Sequence, residues 1–507
     1  MKAVLFALNS SFIHTNLAVR CLYRSLSESG IDTKVIEKNL KDNRNKILYE
    51  LYNAHADIYG FSTYIWNVDA MLALAEDLKL LIPDCIIIFG GPEMSFETDV
   101  PPFIDHIIKG EGENVIADLC LNPANYGKIV QGERYDDFIN EGILYDSVPV
   151  TQGDMLYYES SRGCPYNCAY CLSSTILGLR MKLAQKTLDD LKQFESLPNK
   201  IKVIKFVDRT FNCDIRRAKY IWHELLSDEY TLKYHFEICA DLLDEESFII
   251  LSALPADKIQ LEIGIQSTNK DTLSVINRKS DISKVLTNLA RLNSLDNIHI
   301  HADLIAGLPY ETYDLFKKSF NDVYGKSDML QLGFLKLLKG TCIRRDADMW
   351  GYKFMSKAPY TILSNDFISY GELMKLQDIE SVLNRFGNSG RFDKSVKYLI
   401  SISPSPFDFY ESLSEFLRDA PNFSQIKAYE LLYSYAAAHI NEVDIDMLKS
   451  FLTFDFMINE TISCPNTIRF NMLDTNTNKN IYRFKFDPDN VYLFDRQNST
   501  YNIKRFI

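Results

Sequence analysis

The chain has 507 residues, 46% of them hydrophobic and 24% charged, with a net charge of −13 at pH 7. That length exceeds one ordinary core and predicts roughly two to four domains. The acidic balance and the lack of any basic patch argue against a duplex-binding protein, and no apolar run approaches the ~20 residues that span a bilayer.

The opening "AVLFAL" reads as a strand, its short apolar run ending at Asn9-Ser10-Ser11 in a way that a signal peptide would not. The helix "NLAVRCLYRSLSESG" follows, then strand "TKVIEK", helix "NRNKILYELYNAHA", strand "DIYGFSTY" and the amphipathic helix "NVDAMLALAEDLKLLIP". "CIIIFGG" and "HIIKGEGE" complete the series as strands with glycine-rich ends. Short apolar strands alternating with helices predict a Rossmann-like, doubly wound parallel sheet over 1–135, with ligands beyond the carboxyl ends of its strands.

Residues 136–154 read as a linker. Over 155–354 the alternation resumes with "MLYYES", "VIKFVD", "YHFEICA", "IQLEIGIQS", "IHIHADLIAGL" and "MLQLGFLKLL" as strands, which predicts a partial (β/α)6 barrel with its chemistry at the strand ends. Residues 355–507 change character. Segments such as "ISYGELMKLQDIESVLNRFG" and "IKAYELLYSYAAAHI" predict a mostly helical domain whose aromatic residues form its core, and "KNIYRFKFDPDNVYLFD" predicts a terminal hairpin.

Seven of the ten cysteines are scattered singly, as buried thiols are in a chain of the reducing cytoplasm. The other three, Cys164, Cys168 and Cys171, share "ESSRGCPYNCAYCLSS" at spacing C-x3-C-x2-C. A disulfide framework needs pairs, and a structural zinc site needs a fourth ligand that is missing at finger spacing. A thioredoxin-type pair uses Cys168 and Cys171 and leaves Cys164 unexplained. Three thiolates on an iron–sulfur cubane leave one iron open to a small molecule.

"CPYNCAYC", with Tyr170 just before the third cysteine, resembles the radical S-adenosylmethionine enzymes. The resemblance implies a 4Fe-4S cluster on Cys164, Cys168 and Cys171. It further implies that S-adenosylmethionine chelates the open iron and is cleaved by one electron from a flavodoxin- or ferredoxin-type donor to a 5′-deoxyadenosyl radical. Further residues match the family's cosubstrate contacts: Tyr158 six residues before Cys164, Glu237 in "FEICA", Gln266 in "IGIQS", Arg278 in "INR", and Asp303 and Gly307 in "HADLIAGL". Where many relatives carry Gly-Gly-Glu for the methionine amine, this chain has "FVDRTFN", which offers Asp208 or Asn212 instead.

The front segment resembles the cobalamin-binding domain of one branch of that superfamily. Gly90, Gly91, Gly110 and Gly112 would let backbone approach the corrin without a Cβ, and Asn9, Asn16, Ser62 and Thr63 would bond its amide arms. The cobalt-ligating D-x-H-x-x-G motif is absent. His14, in the first loop, reads as a hydrogen bonder before a cobalt ligand, so cobalamin is expected without a protein His on its lower face, covered instead by Trp66 or a neighbouring apolar side chain. The C-terminal segment resembles an uncharacterised domain that accompanies this pairing.

The leading functional expectation is a cytoplasmic, monomeric methyltransferase using cluster, S-adenosylmethionine and cobalamin on an unactivated carbon, or phosphorus, of a small molecule or peptide. Two alternatives stand beside it: a cobalamin-dependent radical rearrangement or ring closure, and a cobalamin- or redox-sensing binding protein.

Overall fold

The computed structural model describes residues 1–145, 155–176, 178–197, 201–420, 422–441, 443–460, 464–469, 481–487, 490–495 and 500–505. Residues 146–154 of the expected linker lie outside them. The chain divides into one unit of Met1–Tyr310 with Phe334–Phe367 and a second of Glu311–Gly333 with Ile368–Ile507.

The first unit opens on six parallel strands: β1 (Lys2–Asn9), β2 (Asp32–Asn39), β3 (Ile58–Ser62), β4 (Ile86–Gly90), β5 (His106–Lys109) and β6 (Ile129–Gln131). They are joined by helices α1 (Leu17–Glu28), α2 (Arg44–Asn53), α3 (Val68–Leu81) and α4 (Ile116–Leu121). Alternate side chains of β1 serve opposite cores. Val4, Phe6 and Leu8 pack with Ile47 and Leu51 of α2 and Leu74 of α3. Ala3, Leu5 and Ala7 pack with Val19 and Leu26 of α1 and Leu119 of α4. Both faces are covered, as a parallel sheet requires.

The strand order is β2-β1-β3-β4-β5-β6. It reverses between β1 and β3, which opens the crevice where such sheets bind ligands. The register sets Ala7 beside Ser62 and Ser62 beside Gly90, so the loops after β1, β3 and β4 share one edge.

A second array in the same unit starts with β7 (Met155–Tyr158). Next comes the antiparallel pair β8 (Ser161–Arg162) and β9 (Arg180–Met181), which brackets the cysteine loop. Helices α5 (Ala184–Glu195), α6 (Ile215–Glu224), α7 (Glu245–Ala253), α8 (Lys270–Val275) and α9 (Ile282–Asn293) alternate with β10 (Val203–Phe206), β11 (Lys233–Ile238), β12 (Ile259–Gln266) and β13 (His299–Ala306). The helices start where the sequence offers caps: Asp214 accepts from Arg216 N before α6, and Asp244 with Ser247 closes a capping box on α7.

The long strands run parallel in the order β13-β12-β11-β10-β7. Burial alternates along β12 and β13: Leu261, Ile263, Ile300, Ala302 and Leu304 are inaccessible, while Gln260, Glu262, Gln266, His299, His301 and Asp303 share the half-open face. This is the two-sided wall of a β/α barrel.

The sixth expected strand is Met329–Phe334, all but its last residue in the second unit, where helices cover Tyr313–Val323, Tyr370–Val382, Asp393–Ser401, Pro406–Leu417, Gln425–His439 and Ile445–Asn459. Tyr410, Tyr429 and Tyr435 are fully buried in it, so its aromatic residues do form core. The terminal hairpin gains a third antiparallel strand, Thr500–Arg505, beside Ile481–Asp487 and Asn490–Asp495. Among the described residues no helix is long and apolar enough to cross a membrane.

Candidate active site

The cysteine loop leaves β8 through Gly163, whose φ of +86° and whose approach to Gly178 both require glycine: an added Cβ would lie 2.4 Å from the Gly178 carbonyl oxygen. Backbone bonds pin the loop at its centre. Ala169 N donates to Ile276 O at 2.9 Å, and Ile343 N to Ala169 O at 3.0 Å. Asn277 Nδ2 reaches Asn167 O at 3.0 Å. Cys168 is buried while Cys164 and Cys171 are half-buried, and all three are free thiols. Burial raises the Cys168 thiol, against the pull of the Arg278 guanidinium.

Among the described residues no group of three or more His, Cys, Asp or Glu side chains converges on one ion. A cubane takes one thiolate per iron, so its ligands stand further apart than those of a single ion. Cys213 and Cys239, expected as isolated core thiols, stand near enough to Cys164 to feel its charge. Burial is the larger influence on each and raises both, Cys239 to about 11.

Arg278 connects this loop to the barrel wall. Its Nη1 lies 3.9 Å from Cys168 Sγ and 3.4 Å from the Tyr170 hydroxyl, and its Nη2 donates to the Gly264 carbonyl. The β12–β13 register shifts between Gly264 and Gln266, and Gln266 takes a φ of +71°. The bulge turns the Gln266 amide back over Gly264, where a Cβ would stand 2.3 Å from Gln266 Nε2.

Three buried atoms face this corner without a hydrogen-bond partner: Gln266 Oε1, Arg278 Nε and Asp303 Oδ1. Buried polar groups are rarely left so unless a ligand completes them. Asp303 is pushed up to about 7, by burial first and then by Glu262 and Glu237. Glu237 also rises to about 7 through burial, against the attraction of Arg209. Tyr170, Glu237, Gln266, Arg278 and Asp303 thus lie toward one corner with the cysteine loop.

Four other expectations meet a different arrangement. Asp208 is 0% exposed, and its oxygens accept from Ser160 N at 2.9 Å and from the hydroxyls of Ser160 and Ser161 at 2.6 Å. Asn212 exchanges bonds with the backbone of Cys239. Both are thus engaged by the backbone and hydroxyls around them, with Asp208 Oδ2 and Asn212 Oδ1 each taking a single donor. Tyr158 points to the helix side, where its hydroxyl donates to Asp190 Oδ2 at 2.7 Å. The Gly307 carbonyl accepts from Tyr352 and Asn365.

Below the corner, the open face of the strands is polar. Tyr157, Lys205, His235, Gln260 and His299 form one row across five strands, and Glu237, Glu262 and His301 form the next. Glu262 pairs with Lys205 at 3.1 Å and His235 at 3.0 Å. Burial raises its carboxyl, but the His235 hydrogen bond and Lys205 outweigh that and hold it at about 2. His301 falls to about 4 through burial and the neighbouring histidines. Of these residues only Glu237 was picked out from the sequence, although the polar alternation of "QLEIGIQ" and "HIHAD" carries Gln260, Glu262, His299 and His301.

At the front edge, the Tyr157 hydroxyl lies 2.7 Å from His14 Nδ1. Burial, then Lys205, lower the His14 imidazole below its ordinary value. Several residues expected to bond the corrin instead hold the scaffold. Thr63 donates N and Oγ1 to Gly90 O. Asn9 Nδ2 bonds His14 O and Glu37, and Asn16 caps α1 through Val19 N. Gly91, with φ of +105°, would set a Cβ 2.4 Å from Thr63 O, and a Cβ on Gly112 would meet Leu22 at 3.2 Å. Gly110 N donates to Ser95 Oγ at 3.4 Å, and Ser62 is buried at the edge. Trp66, 49% exposed, stacks on Tyr64 at 4.4 Å and leaves a flat aromatic face open.

The family model "B12 binding domain" matches residues 4–120 and "Radical SAM superfamily" matches 158–323; "Protein of unknown function (DUF4080)" matches 348–499. The 2-(S-pantetheinyl)-carbapenam-3-carboxylate methyltransferase of Streptantibioticus cattleyicolor is 24% identical over 318 residues, 55% of this chain and 45% of that protein. The hopanoid C-3 methylase of Methylococcus capsulatus is 24% identical over 57% of this chain and 60% of its own. The chain therefore spans about half the length of the curated relatives it matches. Among solved structures, the cobalamin-dependent S-adenosylmethionine radical enzyme OxsB superposes with a TM-score of 0.60 at 16% identity, over 86% of this chain and 75% of that one. The radical S-adenosylmethionine methyltransferase TsrM from Kitasatospora setae superposes at 0.57 and 15% identity, over 70% and 79%.

Proposed function

From the premise that this chain joins a cobalamin-binding domain to a radical SAM domain, as cobalamin-dependent radical SAM enzymes do, we propose that it methylates an unactivated carbon, or phosphorus, of a small molecule or peptide. The observation that carries this reading is the unpartnered buried trio of Gln266 Oε1, Arg278 Nε and Asp303 Oδ1 beside the cysteine loop. When bound, cluster and S-adenosylmethionine supply a 5′-deoxyadenosyl radical, and cobalamin supplies the methyl group. Cys164, Cys168 and Cys171 hold the cluster, and a flavodoxin- or ferredoxin-type protein serves as electron donor.

The chain's own residues orient and shield. Arg278 presents Nε to a carboxylate while Gly264 O and Tyr170 fix its plane. Gln266 Oε1 accepts from ribose hydroxyls, and Glu237 and Asp303 hold protons near neutrality and so can donate. The open edge of the front sheet, with Trp66 and His14, receives the corrin. The polar rows of Tyr157, Lys205, Glu262 and His301 suit a substrate with hydrogen-bonding groups, and a filled lumen keeps water from a reactive carbon.

A second reading, radical ring closure without methyl transfer, is kept because the anaerobic magnesium-protoporphyrin IX monomethyl ester cyclase of Rubrivivax gelatinosus is 23% identical over half of this chain. Product mass separates the two. The test is anaerobic reconstitution with iron, sulfide and hydroxocobalamin, followed by reduction and assay of 5′-deoxyadenosine. Bound cluster and cobalamin with 5′-deoxyadenosine formed are expected, and a reconstituted protein that makes none contradicts the reading.

A further inference from the structure

The glycine-rich loop after β5, expected to line the corrin, does something else with its acidic residues. Glu111 and Glu113 reach to the strand pair that brackets the cysteine loop. Arg162, two residues before Cys164, bonds Glu113 Oε1 at 2.7 Å through Nη2 and Glu159 Oε2 at 2.8 Å through Nε, with Glu111 3.4 Å from Nη1. Arg180, across the hairpin, holds both oxygens of Glu111 and the Tyr135 carbonyl. The Arg162 guanidinium lies over the Phe138 ring at 4.8 Å.

Arg162 and Glu113 retain 10% and 8% side-chain exposure, so little solvent screens the pair. A buried ion pair adds little net stability against an apolar substitute, but removing one partner leaves a stranded charge, so such pairs serve to fix a register. From the barrel side the same few residues are held by Asp208 on Ser160 and Ser161, and by Arg217 on Ser160 Oγ at 2.8 Å. The stretch 160–162 is therefore gripped from two directions just before the chain turns at Gly163.

We propose that Arg162 is a positioning residue, and that its clamp with Glu111 and Glu113 sets the cysteine loop at a fixed place against the carboxyl edge of the front sheet. The inference rests on the functional reading above, in which the loop carries the radical source and the edge carries the methyl source. A radical enzyme needs these at constant separation, because misplacement of about 1 Å is enough to lower a rate severalfold to a hundredfold.

Full-length Arg162→Met, Arg162→Lys and Glu113→Gln proteins test this. Without cofactors, Arg162→Met and Glu113→Gln are expected to speed amide hydrogen exchange in 111–113 and 160–163 by on the order of tenfold or more. Amides of β1 and β13 should keep wild-type rates, and Arg162→Lys should recover part of the protection. After reconstitution, Arg162→Met should keep wild-type iron and cobalamin contents, while the magnetic coupling between reduced cluster and cob(II)alamin weakens and broadens. Unchanged exchange with unchanged coupling overturns the proposal. So does a variant that loses its iron or exchanges faster throughout β1 and β13, since Arg162 would then be a general stability residue. Wild-type protein that takes up no iron would defeat the functional reading alone, with the exchange measurement still deciding the clamp.

Discussion

Asp303 carries the clearest pH signature of any residue in the corner. Its folded carboxyl ionises at about 7, against an ordinary 3.8, so the native state holds a proton that the unfolded chain has released. Stability should therefore fall as pH rises between those values. Asp303→Asn, which keeps the shape and cannot ionise, is expected to raise the Tm of the cofactor-free protein at pH 8. The gain should be on the order of 1–2 kcal/mol, discounted for coupling to Glu237, and should vanish toward pH 4. Thermal melts across pH 4 to 8 read it, and a constant difference at all pH values would mean packing rather than charge.

Chemistry that constrains spacing singles out the three cysteines and Arg278 in the sequence. A partner far along the chain leaves no such mark. Asp208 offers the right group at the right strand end, yet Ser160 and Ser161, 48 and 47 residues earlier, occupy it. Tyr158 and Tyr157 are adjacent in sequence and face opposite sides of one strand, so only the register says which of them enters the lumen.

At the scale of elements, two glycines separate binding from stability. A Cβ on Gly264 meets the end of the Gln266 side chain, which can swing aside, whereas a Cβ on Gly91 meets the Thr63 backbone at 2.4 Å with φ already at +105°. Gly91→Ala is therefore expected to cost on the order of 2–3 kcal/mol and lower the Tm by several degrees. Gly264→Ala should cost under about 1 kcal/mol yet weaken S-adenosylmethionine binding to the reconstituted protein roughly tenfold, because the displaced amide no longer presents Oε1. Equilibrium binding and melts on both variants check the crossing pattern. The β/α alternation that set these elements was plain in the apolar runs. The bulge at Gly264–Gln266 was not, because it arises from pairing with β13 rather than from any local turn signal.

For the whole molecule, the front sheet buries its two faces with its own helices, drawing almost nothing from the cysteine loop. Loss of the cluster should therefore leave the cobalamin domain folded. The triple variant Cys164→Ala, Cys168→Ala, Cys171→Ala is expected to bind hydroxocobalamin at wild-type stoichiometry while showing no cluster absorbance and forming no 5′-deoxyadenosine. Cys213→Ala should keep cluster and turnover nearly intact, although its thiol stands near Cys164, because it lies outside the C-x3-C-x2-C loop. Iron content, visible spectra and 5′-deoxyadenosine yield measured on the same preparations decide both. Cluster loss in Cys213→Ala would move a ligand from the loop to the turn after β10 and reopen the assignment of all three. Cobalamin loss in the triple variant would mean that the two halves of the first unit fold as one, with the Glu111–Glu113 clamp as their structural joint.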